Sequence, residues 1–255
     1  MSNKSLEKLR DVIAQLTGPD GCPWDMKQTP NSLCDYVIEE AFELVEAIRA
    51  DDKQEAMEEL GDVMFLLLFI AERYEKSGSF TLAEAIDSSS AKMIRRHPHV
   101  FADCKVEDQE ELLRNWEKIK RSEKKDSDKI FDSLPKGLPP LLKAYRINAK
   151  AARSGFTFES DEQCIKQLES EWQEWDKALK AEDNNASEEE FGDYLFALIE
   201  LGRRKGIKAN SALDKTNNKF LDRFSKMEDL AKEQGKDVSE MELTELNELW
   251  NKIKS

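Results

Sequence analysis

The chain has 255 residues, with 53 acidic against 39 basic side chains and a net charge of −14. A surface this acidic repels nucleic-acid phosphates and excludes non-specific DNA or RNA binding; an anionic ligand needs a local basic patch or a metal. Charged residues make up 36% and there are only 10 Gly and 7 Pro, which favours long helices, and the length suits two domains with a core each.

Residues 5–17 read as a short amphipathic helix, with Leu6, Leu9, Val12, Ile13 and Leu16 on one stripe. No apolar core precedes it, so the N-terminus is not read as a signal peptide. Gly18-Pro19-Asp20-Gly21 ends this helix and the loop Cys22-Pro23-Trp24-Asp25 follows. Trp24 is either a plug in the core or a base-stacking surface, and the plug is the preferred reading. Pro30, with Asn31 and Ser32 as candidate caps, opens a helix that runs to about Ala50. Val37, Ala41, Leu44, Val45 and Ile48 are its expected core stripe, flanked by Glu40 and Glu43. Asp51-Asp52 breaks it, and the next helix spans about Gln54 to Lys76, carrying Glu59 and Asp62. Gly61 between those two acids costs about 1 kcal/mol in a helix, and close approach of a partner helix or ligand is a reason to keep it. The longest apolar run, Val63 to Ala71, is half the roughly 20 residues a membrane span needs, so it reads as a helix segment buried all round.

A turn at Ser77-Gly78-Ser79 leads into a helix over 81–96, stopped by His97-Pro98-His99. Lys92 and Arg96 lie four apart on one face, with Arg95 beside them. They are either favourable cations at a helix C-terminus or a phosphate clamp facing the carboxylates. Residues 107–124 read as helix with Leu112, Leu113, Trp116 and Ile119 apolar. The domain assignment is 1–125, a linker at 126–140 rich in Pro and Gly, and 141–255. In the second domain helices are expected at 141–154, 161–181, 187–205, 210–234 and 239–253, and Gly155-Phe156-Thr157-Phe158 takes the place of the Trp24 loop. The cysteines, Cys22, Cys34, Cys104 and Cys164, form no C-x-x-C and read as reduced thiols of a cytoplasmic protein.

The acidic pattern occurs twice. Glu171, Glu174, Glu190 and Asp193 lie 131 positions after Glu40, Glu43, Glu59 and Asp62, and Gly192, Phe196 and Leu198 repeat Gly61, Phe65 and Leu67 at the same offset. On a helix, residues three apart share a face, so paired acidic helices can bring four carboxylates to one point. Crowded carboxylates repel unless a cation sits among them, and hard oxygen ligands suit Mg²⁺, with Mn²⁺ as the alternative. The third helices align at offset 127, pairing Lys92 with Lys219 and Arg96 with Arg223. Acidic metal ligands beside basic phosphate ligands are the composition of a metal–triphosphate site.

These motifs together, Cys22-Pro23-Trp24-Asp25, E-E-x-x-E with E-E-L-G-D, Arg95-Arg96-His97-Pro98-His99-Val100-Phe101 and Asn217-Asn218-Lys219-Phe220 with Arg223, resemble the MazG family over essentially the whole chain. The resemblance implies an all-α fold of two tandem helical domains, with four-helix cores completed by homodimerisation. It implies Mg²⁺-dependent hydrolysis of nucleoside triphosphates to monophosphate and pyrophosphate, with a role in nucleotide-pool housekeeping. It assigns metal binding and catalysis to Glu171, Glu174, Glu190 and Asp193, and triphosphate and nucleoside contacts to Lys219, Arg223 and Trp250. The sequence departs from the family at Ser170, where the first acid is missing, and at Gln167, where a Lys is common.

Asn217 has Ser90 as its counterpart in the first repeat, a shorter group without an amide fork, and the tail carries Trp250, whose indole could stack on a purine. The second repeat is therefore the expected centre of turnover. The first, with Glu40, Glu43, Glu59 and Asp62 and a second phosphate set of Lys92, Arg95 and Arg96, is expected to bind metal and turn over slowly, or to serve the dimer. A di-iron bundle is disfavoured because the chain has no E-x-x-H. The remaining rival is a helical interaction or regulatory module with a vestigial metal site.

Overall fold

The computed structural model describes residues 2–102 and 129–254, with positions 108, 111, 112, 115, 116, 118, 119 and 123 between them. Most of the helix expected over 107–124, and Cys104, fall outside the described residues. All regular elements among the described residues are helical. Contacts divide the chain into two compact units, Met1–Glu107 and Asp108–Ser255. The division precedes the 126–140 linker read from the sequence. The described part of that linker packs within the second unit, where Lys150 Nζ donates to Ser133 Oγ at 2.7 Å.

The first unit comprises α1 (Ser2–Leu16), α2 (Cys34–Ala50), α3 (Lys53–Lys76), α4 (Leu82–Arg96) and a single turn, α5 (Pro98–Phe101). At the end of α1, Cys22 N–H donates to Leu16 O at 2.9 Å. That approach requires Gly21, because a Cβ there would lie 2.2 Å from the same carbonyl oxygen. Arg73 of α3 then donates to Asp25 O at 2.6 Å and pins the loop. Thr29 and Ser32 exchange hydrogen bonds in a local turn, so α2 begins at Cys34, later than Pro30 suggested, with no side-chain cap.

The α2–α3 hairpin is set by two aspartates. Asp51 adopts a left-handed φ of 56° and closes α2, and Asp52 accepts from Gln54 and Glu55 N–H at 3.0 and 3.1 Å, capping α3. Ile13, Leu33, Leu66, Leu68 and Phe69 form the buried core between this hairpin and α1. The expected core stripe of α2 is only partly inward. Val37 and Leu44 are half-buried, whereas Val45 and Ile48 are exposed, as are Ile38 and Phe42. The run Val63–Ala71 is likewise not buried all round: Leu66, Leu68, Phe69 and Ala71 are buried, but Met64 and Leu67 are 41% and 52% exposed. α1 covers one face of the hairpin, and the unit's own elements leave the other open. One further expectation fails for the same reason: Trp24 is half exposed and packs edge-on against Tyr36, so it plugs no core. At Gly61, no described residue outside its own helix turn lies within 4 Å of an added Cβ, which leaves that face open to a partner helix or ligand.

The second unit repeats this plan with α6 (Pro140–Arg153), α7 (Asp161–Lys180), α8 (Asn184–Arg204) and α9 (Ala209–Glu233), and adds α10 (Leu243–Lys254). Its hairpin is closed at the same offset, by Glu182 with φ 56° and by Asp183 accepting from Asn185 and Ala186 N–H, both at 3.1 Å. Arg204, the counterpart of Arg73, holds Phe158 O at 2.9 Å and Asp161 Oδ1 at 2.8 Å. The repeat therefore extends to the loop anchors. α10 folds back on α9 over Met227, Ala231 and Leu249.

Phe69 is wholly buried at the centre of the first core. Phe69→Ala is expected to destabilise the chain by about 3–5 kcal/mol, read as a lower urea midpoint with helix content retained in native buffer.

Candidate functional site

Each hairpin brings three glutamates together. Glu40 and Glu43, one turn apart on α2, meet Glu59 of α3, and one carboxylate oxygen from each lies within 4.8 Å of the others. Glu171, Glu174 and Glu190 do the same between α7 and α8. Asp62 and Asp193, the expected fourth members, stand outside these clusters and are exposed on α3 and α8.

The electrostatics show what the arrangement needs. Glu59 is buried, shares a hydrogen bond with Glu40, and has a pKa raised to about 7, first by burial, then by that hydrogen bond and the charges of Glu43, Glu40 and Glu55. Its Oε2 is buried without a hydrogen-bond partner among the described residues. Glu190 is also pushed up, by burial first and then by Glu174, Asp193, Glu171 and Glu189. A buried carboxylate oxygen without a donor, among like charges, fits a hard divalent cation such as Mg²⁺ or Mn²⁺.

The repeats differ in what holds the carboxylates. In the second, Gln167 Nε2 donates to Glu171 Oε1 at 2.7 Å and Ser170 Oγ to Glu174 Oε1 at 3.0 Å. Such bonds orient ligating carboxylates. The first repeat has Tyr36 and Glu39 at those places, and Tyr36 is engaged with Trp24. Gln167 and Ser170 thus belong to the site. Their spacing of four from Glu171 and Glu174 was the available signal, and sequence reasoning passed over it. A cavity of about 380 Å³ in the first unit lies between α1 and α3, walled by charged residues such as Arg10, Glu72 and Lys76. In the second unit a cavity meets a carboxylate cluster. It has a volume of about 620 Å³, and Glu171, Asp193, Phe158 and Phe196 are in its wall.

The expected substrate residues are not in that wall. Asn217 and Lys219 are exposed on α9 and Arg223 is half-buried. Trp250 packs 5.2 Å from Phe220, among the residues that cover Met227 and Leu249, so its indole serves the α9–α10 pairing. Lys92 and Arg96 are half-buried and Arg95 is exposed, at the C-terminal end of α4.

A family model described as the MazG nucleotide pyrophosphohydrolase domain matches residues 28–101. The nucleoside triphosphate pyrophosphohydrolase/pyrophosphatase MazG of Thermotoga maritima is 40% identical over 252 residues, covering 97% of this chain and 95% of that protein. The nucleoside triphosphate pyrophosphohydrolase of Escherichia coli K12 is 34% identical over 254 residues, 98% of this chain and 97% of that one. The protein YabN of Bacillus subtilis is 44% identical over 247 residues, and this chain spans 50% of its length.

The raised Glu59 pKa has a consequence for the metal-free protein. Between its ordinary value of 4.5 and about 7, the folded state keeps a proton that the unfolded chain releases. Stability contributed there is present at low pH and declines as pH rises through that window. With chelator present, melting temperatures from pH 5 to 8 are expected to fall less steeply in Glu59→Gln than in the parent. Mg²⁺ added near pH 6.5 should release protons from the parent, seen calorimetrically in buffers of different ionisation enthalpy.

Proposed function

The chain belongs to the MazG family of nucleoside triphosphate pyrophosphohydrolases, and from that premise we propose that it hydrolyses nucleoside triphosphates to monophosphate and pyrophosphate with Mg²⁺, in the cytoplasm, at its second repeat. The observation that carries this reading is the convergence of Glu171, Glu174 and Glu190, of which Glu171 is in the wall of a cavity large enough for a nucleoside.

Glu171, Glu174 and Glu190 would hold the cation, with Asp193 at the edge of the set. When bound, Mg²⁺ supplies neutralisation of phosphoryl charge and acidification of a water. Gln167 and Ser170 keep Glu171 and Glu174 aimed at one point, so the carboxylates need no reorganisation on binding. A carboxylate of the cluster takes the proton of the attacking water. The water oxygen bonds to the α-phosphorus, the bond from that phosphorus to the bridging oxygen breaks, and pyrophosphate leaves with that oxygen. Asn217, Lys219 and Arg223 are assigned to the leaving pyrophosphate and sugar.

In one chain these cationic groups do not line the cavity beside Glu171, so the reading assigns the complete site to a homodimer. The open apolar faces support it: Ile38, Phe42 and Ile48 on α2 and Leu60 and Leu67 on α3 in the first unit, and Trp172, Leu179, Phe191 and Leu198 in the second. Apolar stripes of that extent mark a contact surface. Phe42→Glu is expected to shift sedimentation from dimer toward monomer at micromolar concentration. A parent that sediments as an active monomer would exclude the dimer.

The two repeats are separated by paired variants. Glu190→Gln should lower pyrophosphate release from a nucleotide panel by about 100-fold or more, with helix content unchanged, whereas Glu59→Gln should stay within about threefold. Equal losses would mean two working sites. No release from any nucleotide, with metal still bound, would favour a regulatory module.

A further inference from the structure

The 131-residue register also shows where the repeats part. In the first, Leu33, Leu66 and Phe69 are 0%, 8% and 0% exposed and fill the space between α1 and the hairpin. Their counterparts in the second are Cys164, Ala197 and Glu200. Two large apolar side chains become small ones and the third becomes an acid, yet α6 still packs on α8 as α1 packs on α3. A cavity of about 620 Å³ lies there in the second unit, with Ala197 and Glu200 in its wall. A dry hollow of that size would be destabilising, whereas a polar, water-filled one is available to a ligand.

Two polar groups more than nine-tenths buried line it, Glu200 and Asn148. Glu200 is satisfied, with Arg203 Nε and Nη2 donating to its two oxygens at 2.7 and 2.8 Å. Asn148 is not. The hydrogen bond its side chain makes among the described residues runs from Nδ2 to Phe196 O, at a long 3.4 Å. Its amide has capacity for three more, one donated and two accepted.

The rest of the wall defines what would use that capacity. Phe131, Phe156, Phe158 and Phe196 supply ring faces and edges for a flat apolar group. Glu159, Glu171 and Asp193 make the cavity acidic, so an anionic group is disfavoured from entering it first. A nucleotide therefore enters base first, leaving its phosphates at the Glu171 carboxylate where the cation would sit. We infer that the hollow between α6 and α8 is the nucleobase pocket and that Asn148 reads the base edge through its amide. This rests on the reading of the second repeat as the hydrolytic site and adds the specificity residue. In the first repeat Leu66 and Phe69 occupy the counterpart positions, and the cavity between α1 and α3 meets none of Glu40, Glu43 and Glu59.

Two variants of the full-length protein test it. Asn148→Leu keeps the volume and removes the hydrogen bonds. Ala197→Leu refills the hollow as Leu66 does, and serves if Asn148→Leu fails to fold. Pyrophosphate release from ATP, GTP, CTP and UTP is measured for each, with melting temperature as the folding control. Asn148→Leu should raise KM about tenfold or more for the preferred base and reorder the four, with kcat within about threefold. Ala197→Leu should raise KM for all four with no loss of melting temperature. Calorimetric binding of a non-hydrolysable nucleoside triphosphate with Mg²⁺ gives the same comparison without turnover, and affinity for inorganic triphosphate should be unchanged in both variants. Unaltered KM and nucleotide affinity in folded variants of an active parent would overturn the pocket and leave the hydrolysis standing. A parent that binds the nucleoside triphosphate no more tightly than inorganic triphosphate would also overturn it, whether or not pyrophosphate is released.

Discussion

Like-charge crowding is the constraint on which the molecule turns. Glutamates from two helices meet with oxygens within 4.8 Å, and among the described residues one oxygen of Glu59 has no donor to satisfy it. Carboxylates left to themselves would separate into solvent. They stay together because the hairpins that carry them are closed tightly, by Asp51 and Asp52 in one repeat and Glu182 and Asp183 in the other, and because α1 and α6 pack on α3 and α8. Folding free energy is spent holding charges where a cation would make them stable. The fold is thus a frame for an electrostatic deficit that binding relieves.

The same frame has been finished in two ways. In the first unit Leu33, Leu66 and Phe69 close the core, and the carboxylates sit against solid packing. In the second, Cys164, Ala197 and Glu200 leave it hollow, and Gln167 and Ser170 steady the carboxylates. One repeat has a cavity beside its carboxylates, and the other has large apolar side chains at the counterpart positions. A duplicated fold can divide labour by changing few positions, because the hairpin geometry that creates the cluster depends on none of them.

Much of this was legible in the sequence. Among the described residues the helices fall within a few residues of where periodicity put them, and the 131-residue offset located both clusters, because helical spacing converts directly into a shared face. What periodicity cannot say is which molecule covers a face. Val45, Ile48, Met64 and Leu67 are apolar at helical spacing and were assigned to the core, yet within the chain they are exposed. Trp24 was read as a core plug for a related reason: an aromatic residue in a loop signals contact without naming the partner, here Tyr36. Gln167 and Ser170 were read as departures from a family pattern, when their side chains hold Glu171 and Glu174. The hollow was invisible because it is made by what Ala197 lacks.

The central claim is that the crowded glutamates of the second repeat are a cation site. Anomalous scattering from crystals grown with Mn²⁺ and a non-hydrolysable nucleoside triphosphate tests it most directly. The account predicts a manganese peak among Glu171, Glu174 and Glu190, within coordination distance of an oxygen from each, with the nucleotide's phosphates on its open side. Manganese bound elsewhere, with those carboxylates paired instead to lysine or arginine side chains, would contradict it.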